Sequence, residues 1–82
     1  MQDKNGTVKK AGGLILPAEW DKQGNVVAVL LSAFDEEDYL IDSNGYGRKL
    51  LSYLQKKVEV SGVEKEEGGR KRLRVLSFKT LE

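Results

Sequence analysis

The sequence predicts an all-β domain: a small five-stranded Greek-key barrel with one short helix, in the order β-β-β-α-β-β. Three observations lead there. Runs of β-branched or alternating apolar residues recur along the chain, separated by turns rich in Gly, Asn and Asp. A glycine pair, Gly12-Gly13, falls inside the first run, where a barrel strand must bulge or bend to serve two sides. A single leucine stripe at helical spacing stands between the third and fourth runs. With 82 residues there is room for one such domain, and with no cysteine it closes no disulfide. A closed sheet suits a chain of this kind because it leaves little edge to protect.

The elements follow in order. Residues 1–6 are polar and patternless and are expected to be flexible, the barrel occupying 7–80. Thr7 to Leu16 reads as the first strand, which Pro17 ends or places at an edge. Asp21-Lys22-Gln23-Gly24-Asn25 is a turn. Val26 to Phe34 is the second strand; its apolar residues are so continuous that the pattern alone also fits a short buried helix. Asp35-Glu36-Glu37 turns the chain into a short third strand, Asp38 to Asp42. Gly47 to Gln55 is the helix, with Leu50, Leu51 and Leu54 on one stripe, Tyr46 and Tyr53 flanking it and Ser43 or Asn44 as cap. Lys57 to Lys65 is the fourth strand, in which Gly62 followed by Val63 breaks the alternation as a β-bulge would. Gly68-Gly69 makes a two-residue hairpin turn, and Arg72 to Lys79 is the fifth strand. Leu81-Glu82 reads as a cloning scar.

Composition narrows the chemistry. With no His and no Cys there is neither a Ser-His or Cys-His nucleophile pair nor a zinc site of the usual ligands. No convergent pair of titratable groups suggests an enzyme, so no catalytic residue, metal or cofactor is expected. Fourteen basic against 13 acidic residues give a net charge of +1, which is not the footprint of a protein that holds nucleic acid mainly by charge. No apolar run approaches the roughly 20 residues of a membrane span. The lack of cysteine suits the cytoplasm, or the periplasm or an exported protein if a signal peptide has been removed ahead of Gln2.

Tyr39-Leu40-Ile41-Asp42 leads through Asn44-Gly45 to Leu50-Leu51, and Lys57-Val58-Glu59-Val60-Ser61-Gly62-Val63 leads to the glycine hairpin. In that order, over residues 7–79, the chain resembles a small stand-alone bacterial-type OB-fold domain, whose helix between strands three and four plugs one end of the barrel. The resemblance concerns the fold and no one functional family, since such domains bind oligonucleotides, oligosaccharides or proteins. An SH3-type barrel is the competing fold; it usually lacks a two-turn helix there, so residues 47–55 decide between them.

Candidate contacts follow from the resemblance and from residue type. Gly68-Gly69-Arg70-Lys71-Arg72-Leu73-Arg74 is the densest basic cluster and lies in the loop joining strands four and five, a recurrent OB contact. Against that reading, the hairpin register sets Glu67 opposite Arg70 and Glu66 opposite Lys71 as ion pairs, leaving only Arg72 and Arg74 without an evident acid. Trp20 and Lys22 lie in or beside the first hairpin loop; Trp20 either stacks on a ring-shaped ligand or covers a barrel end. Tyr39 faces the core with its hydroxyl at the rim.

Asp35, Glu36, Glu37, Asp38 and Asp42 put acid on the second-to-third-strand face, where it repels a phosphate backbone. Asp42-Ser43-Asn44-Gly45 begins like a calcium loop but has Tyr53 where the bidentate Glu belongs, and Gly45-Tyr46-Gly47 lacks the third glycine of a dinucleotide fingerprint.

The expected function is therefore a non-catalytic, monomeric binding module for a partner protein or small ligand. Its contacts would be loops 17–25 and 66–72 and the outer face of strands two and three, with Trp20, Lys22, Tyr39, Arg70, Lys71, Arg72 and Arg74 as contact residues. The alternative is single-stranded nucleic-acid binding through the first hairpin loop and the strand 4–5 hairpin.

Overall fold

The computed structural model describes residues 7–43 and 45–81, Thr7 as backbone only. The terminus 1–6, Asn44 as a helix cap and Glu82 lie outside the described residues. Five strands form: β1 (Thr7–Trp20), β2 (Val26–Ala33), β3 (Asp38–Ile41), β4 (Lys57–Glu67) and β5 (Arg70–Thr80). Helix α1 (Tyr46–Lys49) runs into one 3₁₀ turn, Leu50–Tyr53, between β3 and β4. The strands close in the order β1-β2-β3-β5-β4, and only the β3–β5 pair is parallel. This is the expected OB-fold-like Greek-key barrel, and the helical residues 46–53 set it apart from the SH3 alternative.

Pro17 does not end β1, which runs on to Trp20. The reason lies in the ladder. The Gly12 carbonyl accepts Phe34 N–H on the β2 side, whereas Ile15 exchanges bonds with Gln55 and Lys56 on the other. Alternate residues therefore address opposite neighbours, and Pro17 falls on the side that β4 has already left, its last partner being Leu14. The missing proline N–H costs no ladder bond there, and a register shift between Pro17 and Trp20 coils the end of the strand.

The bulge expected at Gly62 is present, but the extra residue belongs to β5. Ser61 pairs with Ser77 and Gly62 with Val75, so Leu76 is the unpaired residue. Gly68 and Gly69, at φ 57° and 81°, form the two-residue turn that the right-handed twist of the β4–β5 hairpin favours.

The helix begins and ends earlier than expected. Gly45, not Ser43, is the N-cap residue, and no side chain caps it. At the other end Gln55 N–H donates to the Ile15 carbonyl and Lys56 accepts from Ile15, so β1 takes these residues from the helix. What remains plugs one barrel mouth: Leu50 is fully buried, and Tyr46 and Tyr53 meet Phe78 of β5 edge-on, at 6.3 and 5.2 Å. The core joins alternate residues of every strand, among them Ile15, Leu31, Ile41, Val60 and Leu73. Just past the end of β5, Leu81 N–H donates to the Lys57 carbonyl.

At the opposite mouth Tyr39 is fully buried, and its hydroxyl has no hydrogen-bond partner among the described residues. The Lys9 ammonium lies 5.4 Å from the ring centroid. The nearby phenolic oxygen, then Glu64, holds the Lys9 pKa above its usual range. The phenol itself is neutral, and its oxygen meets no partner in hydrogen-bonding geometry among the described residues. A buried hydroxyl without a partner carries a desolvation penalty with nothing to offset it. Tyr39→Phe is accordingly expected to stabilise the fold by about 1 kcal/mol, read as a higher thermal midpoint. A lower midpoint would mean that the hydroxyl is bonded after all.

Candidate binding face

Alternation fixes what the barrel shows to the outside. Ile15 and Leu31 point inward, fully buried, so Leu16 and Leu30 point outward. The register carries the same row onward: Leu16 pairs with Leu30, Leu30 with Leu40, and Leu40 with Arg72. These leucines, each half-buried, make an apolar row across the outer face of β1, β2 and β3.

The row opens into a hollow of about 300 Å³ between β2–β3 and the β4–β5 hairpin. Leu30 and Leu40 form its apolar floor, Glu37 and Asp38 one wall, and Gly69, Arg70 and Lys71 the other. The glycine turn allows the hairpin to stand beside β3, and the parallel β3–β5 pairing sets the distance between them. That pairing spans only Leu40 with Arg72 and Ile41 with Leu73. A clasp secures it: Arg72 Nε donates to Asp42 Oδ1 at 3.1 Å, and Nη2 forms an ion pair with the same oxygen at 2.9 Å.

The basic hairpin is thus paired differently from the sequence expectation. Glu67 does stand opposite Arg70 and Glu66 opposite Lys71. The side chains pair otherwise. Lys71 reaches Glu37 at 3.2 Å and Glu64 at 3.9 Å. Arg72, expected to lack an acid, is held by Asp42 and by Glu67 at 3.7 Å. The Glu37 carboxylate raises the Lys71 pKa. Acids of β3 and its turn, which sequence order hides from the hairpin, use up the charge of two of its four cations. Among the described residues Arg70 and Arg74 have no ion pair.

The other expected contacts scatter. Trp20 does not cover a barrel end; it is 57% exposed at the tip of β1. Lys22 is exposed in the loop below it. Asp21 braces that loop, its Oδ1 accepting Gln23 N–H and Asn25 N–H, both at 2.9 Å. The Asn25 bond, the largest contribution, lowers the Asp21 pKa. Neither Trp20 nor Lys22 lines the hollow. Tyr39, buried under Lys9, is withdrawn from surface contact, so it serves the core instead. Arg74 lies on the far side of β5, opposite Val63. Only Arg70 and Lys71 of the expected set meet at the hollow. The leucine row lies on the outer face of strands two and three that the sequence offered, but Leu16, Leu30 and Leu40 were not among the expected contact residues.

Among the described residues no cluster of acids could hold a metal ion, and no helix is long and apolar enough to cross a membrane. No protein-family model, curated protein or solved structure matches the chain.

Proposed function

We propose that the chain is a non-catalytic binding module that takes a segment of a partner protein on the outer face of β1–β3, at the foot of the β4–β5 hairpin. The observation that carries this reading is the hollow itself: a leucine floor between an acidic and a basic wall. An apolar side chain fits the floor, and a polypeptide offers both donors and acceptors, or both charges, to the two walls. A phosphate backbone fits less well, because Glu37 and Asp38 repel it and Lys71 is already paired. Single-stranded nucleic acid therefore stands as the second reading, resting on exposed Trp20 and on Arg70.

The test uses dodecapeptides selected from a random display library on the wild-type domain. Leu40→Glu places a charge on the floor, and Arg70→Glu reverses the charge of the wall residue that has no ion pair among the described residues. Each is expected to weaken the selected peptides roughly tenfold or more without loss of the folded amide spectrum. Peptides that bind both variants as well as the wild type would overturn the proposal.

A further inference from the structure

The opposite side of the barrel has a different character. The outward positions of β1, β4 and β5 are set by register: Val8 lies opposite Val63 and Val63 opposite Arg74; Lys10 opposite Ser61 and Ser61 opposite Ser77; Gly12 opposite Glu59 and Glu59 opposite Lys79. Leu14 with Lys57 closes the series. Lys10, Lys57, Lys65, Arg74 and Lys79 all stand on this face, against two outward acids of β4, Glu59 and, at the hairpin end, Glu67, which pairs with Lys65 at 3.9 Å. Glu59 is paired with Lys79 at 3.6 Å, which leaves Lys10, Lys57 and Arg74 without an ion pair among the described residues. The acids of these strands otherwise gather at the hairpin end, where Lys9, Lys71 and Arg72 pair with Glu64 and Glu67. A net charge near zero for the chain therefore hides two unlike sides.

Apolar side chains are interleaved with these cations. Val8 is 70% exposed, Leu76 is turned out by the bulge, and Phe34 and Leu81 both lie over Gly12. The acidic β2–β3 turn begins beside Phe34 and bounds the patch. At its centre a shallow hollow of about 200 Å³ is lined by Lys10, Ser61, Ser77, Phe78 and Lys79 and by Glu59, whose carboxylate Lys79 already holds.

We propose that this β1–β4–β5 face is a second docking surface, for an acidic segment of a partner protein in which Asp or Glu alternates with aliphatic side chains. Charge complementarity selects an acidic occupant. The apolar component selects a polypeptide over nucleic acid: exposed Val8, Leu76 and Leu81 are aliphatic and give bases nothing to stack on, Phe34 lies at the margin, and the half-buried Phe78 ring is engaged by Tyr46 and Tyr53. Paired strands with outward serines and lysines also offer hydrogen bonds to carboxylates without burying a charge unpaired. This surface is independent of the leucine floor, so the two proposals can fail separately.

The test measures binding of a synthetic peptide of alternating Glu and Leu by fluorescence anisotropy at low and moderate salt. Lys57 and Arg74 have no ion pair among the described residues, so Lys57→Glu with Arg74→Glu should leave the fold intact, as the amide spectrum will show; Lys10→Gln is the milder variant. The double variant is expected to bind roughly tenfold or more weakly, Lys10→Gln to weaken binding by a smaller factor, and Leu40→Glu to bind as the wild type does. Equal affinity in the wild type and Lys57→Glu/Arg74→Glu would overturn the proposal. So would tighter, Lys57-dependent binding of a mixed-sequence oligonucleotide or of phosphatidylglycerol vesicles, or a self-association in sedimentation that these variants abolish; each assigns the face to another occupant.

Discussion

Gly47→Ala is expected to unfold the domain or leave it barely folded at room temperature. On propensity alone the change favours a helix by about 1 kcal/mol. Packing decides against it. A Cβ on residue 47 would collide with the Asp42 carbonyl oxygen, with the carbonyl carbon at 3.1 Å and Ile41 Cγ2 at 3.0 Å. Asp42 cannot yield easily, because its N–H donates to the Leu73 carbonyl and its carboxylate holds Arg72. Movement there opens the short β3–β5 pairing that closes the barrel. The expected cost is more than ~3 kcal/mol, against a total stability of roughly 4–12 kcal/mol for a chain of this size. Chemical denaturation measures it; a stabilised variant would show that the backbone approach at Gly47 is looser than described.

Leu50→Ala is the second large effect. Leu50 is fully buried and is the one residue of the helical segment that belongs to the buried core cluster itself. Truncation leaves a cavity at the plugged mouth, beneath a segment of two turns too short to be stable alone. A loss of about 2–5 kcal/mol is expected, with an unchanged urea m-value if unfolding stays two-state. Leu51→Ala, at a half-buried neighbouring position, should lose less than half as much. Equal losses at the two positions would contradict the assignment of Leu50 as the plug.

Most of the fold was legible because the turn chemistry and the alternation agree. Asp21 to Asn25 and Gly68-Gly69 mark their hairpins, and the leucine stripe marks the helix between β3 and β4. The misplacements have long-range causes. Pro17 looks like a terminator until one knows that β4 has already left that edge. Gln55 looks helical until β1 claims its N–H. Gly62 does mark the bulge, but which strand carries the extra residue depends on the partner, which local sequence does not specify.

The site was less legible, for a related reason. Residue type directs attention to Trp20, Tyr39 and the arginines, yet Tyr39 is core and Arg72 is a clasp. Asp42 and Arg72 lie 30 positions apart, and only the parallel β3–β5 pairing joins them. The leucine row was hidden differently. In the run Val26 to Phe34 both faces are apolar, so the period that would have flagged Leu30 as outward is masked. A strand with leucines on both faces signals a covered or binding outer face, and that signal was available before the structure.

The central claim, that the leucine floor between β2–β3 and the hairpin receives a polypeptide, is tested most directly by amide NMR of the labelled domain. A selected dodecapeptide and a mixed-sequence single-stranded oligonucleotide are titrated separately, each at low and moderate salt. The account predicts peptide-induced shifts at Leu30, Leu40, Gly69 and Arg70 that persist at moderate salt, and an oligonucleotide response that is weak and disappears with salt. A salt-sensitive oligonucleotide response centred on Trp20 and residues 68–74, with those leucine amides unmoved by the peptide, would contradict it.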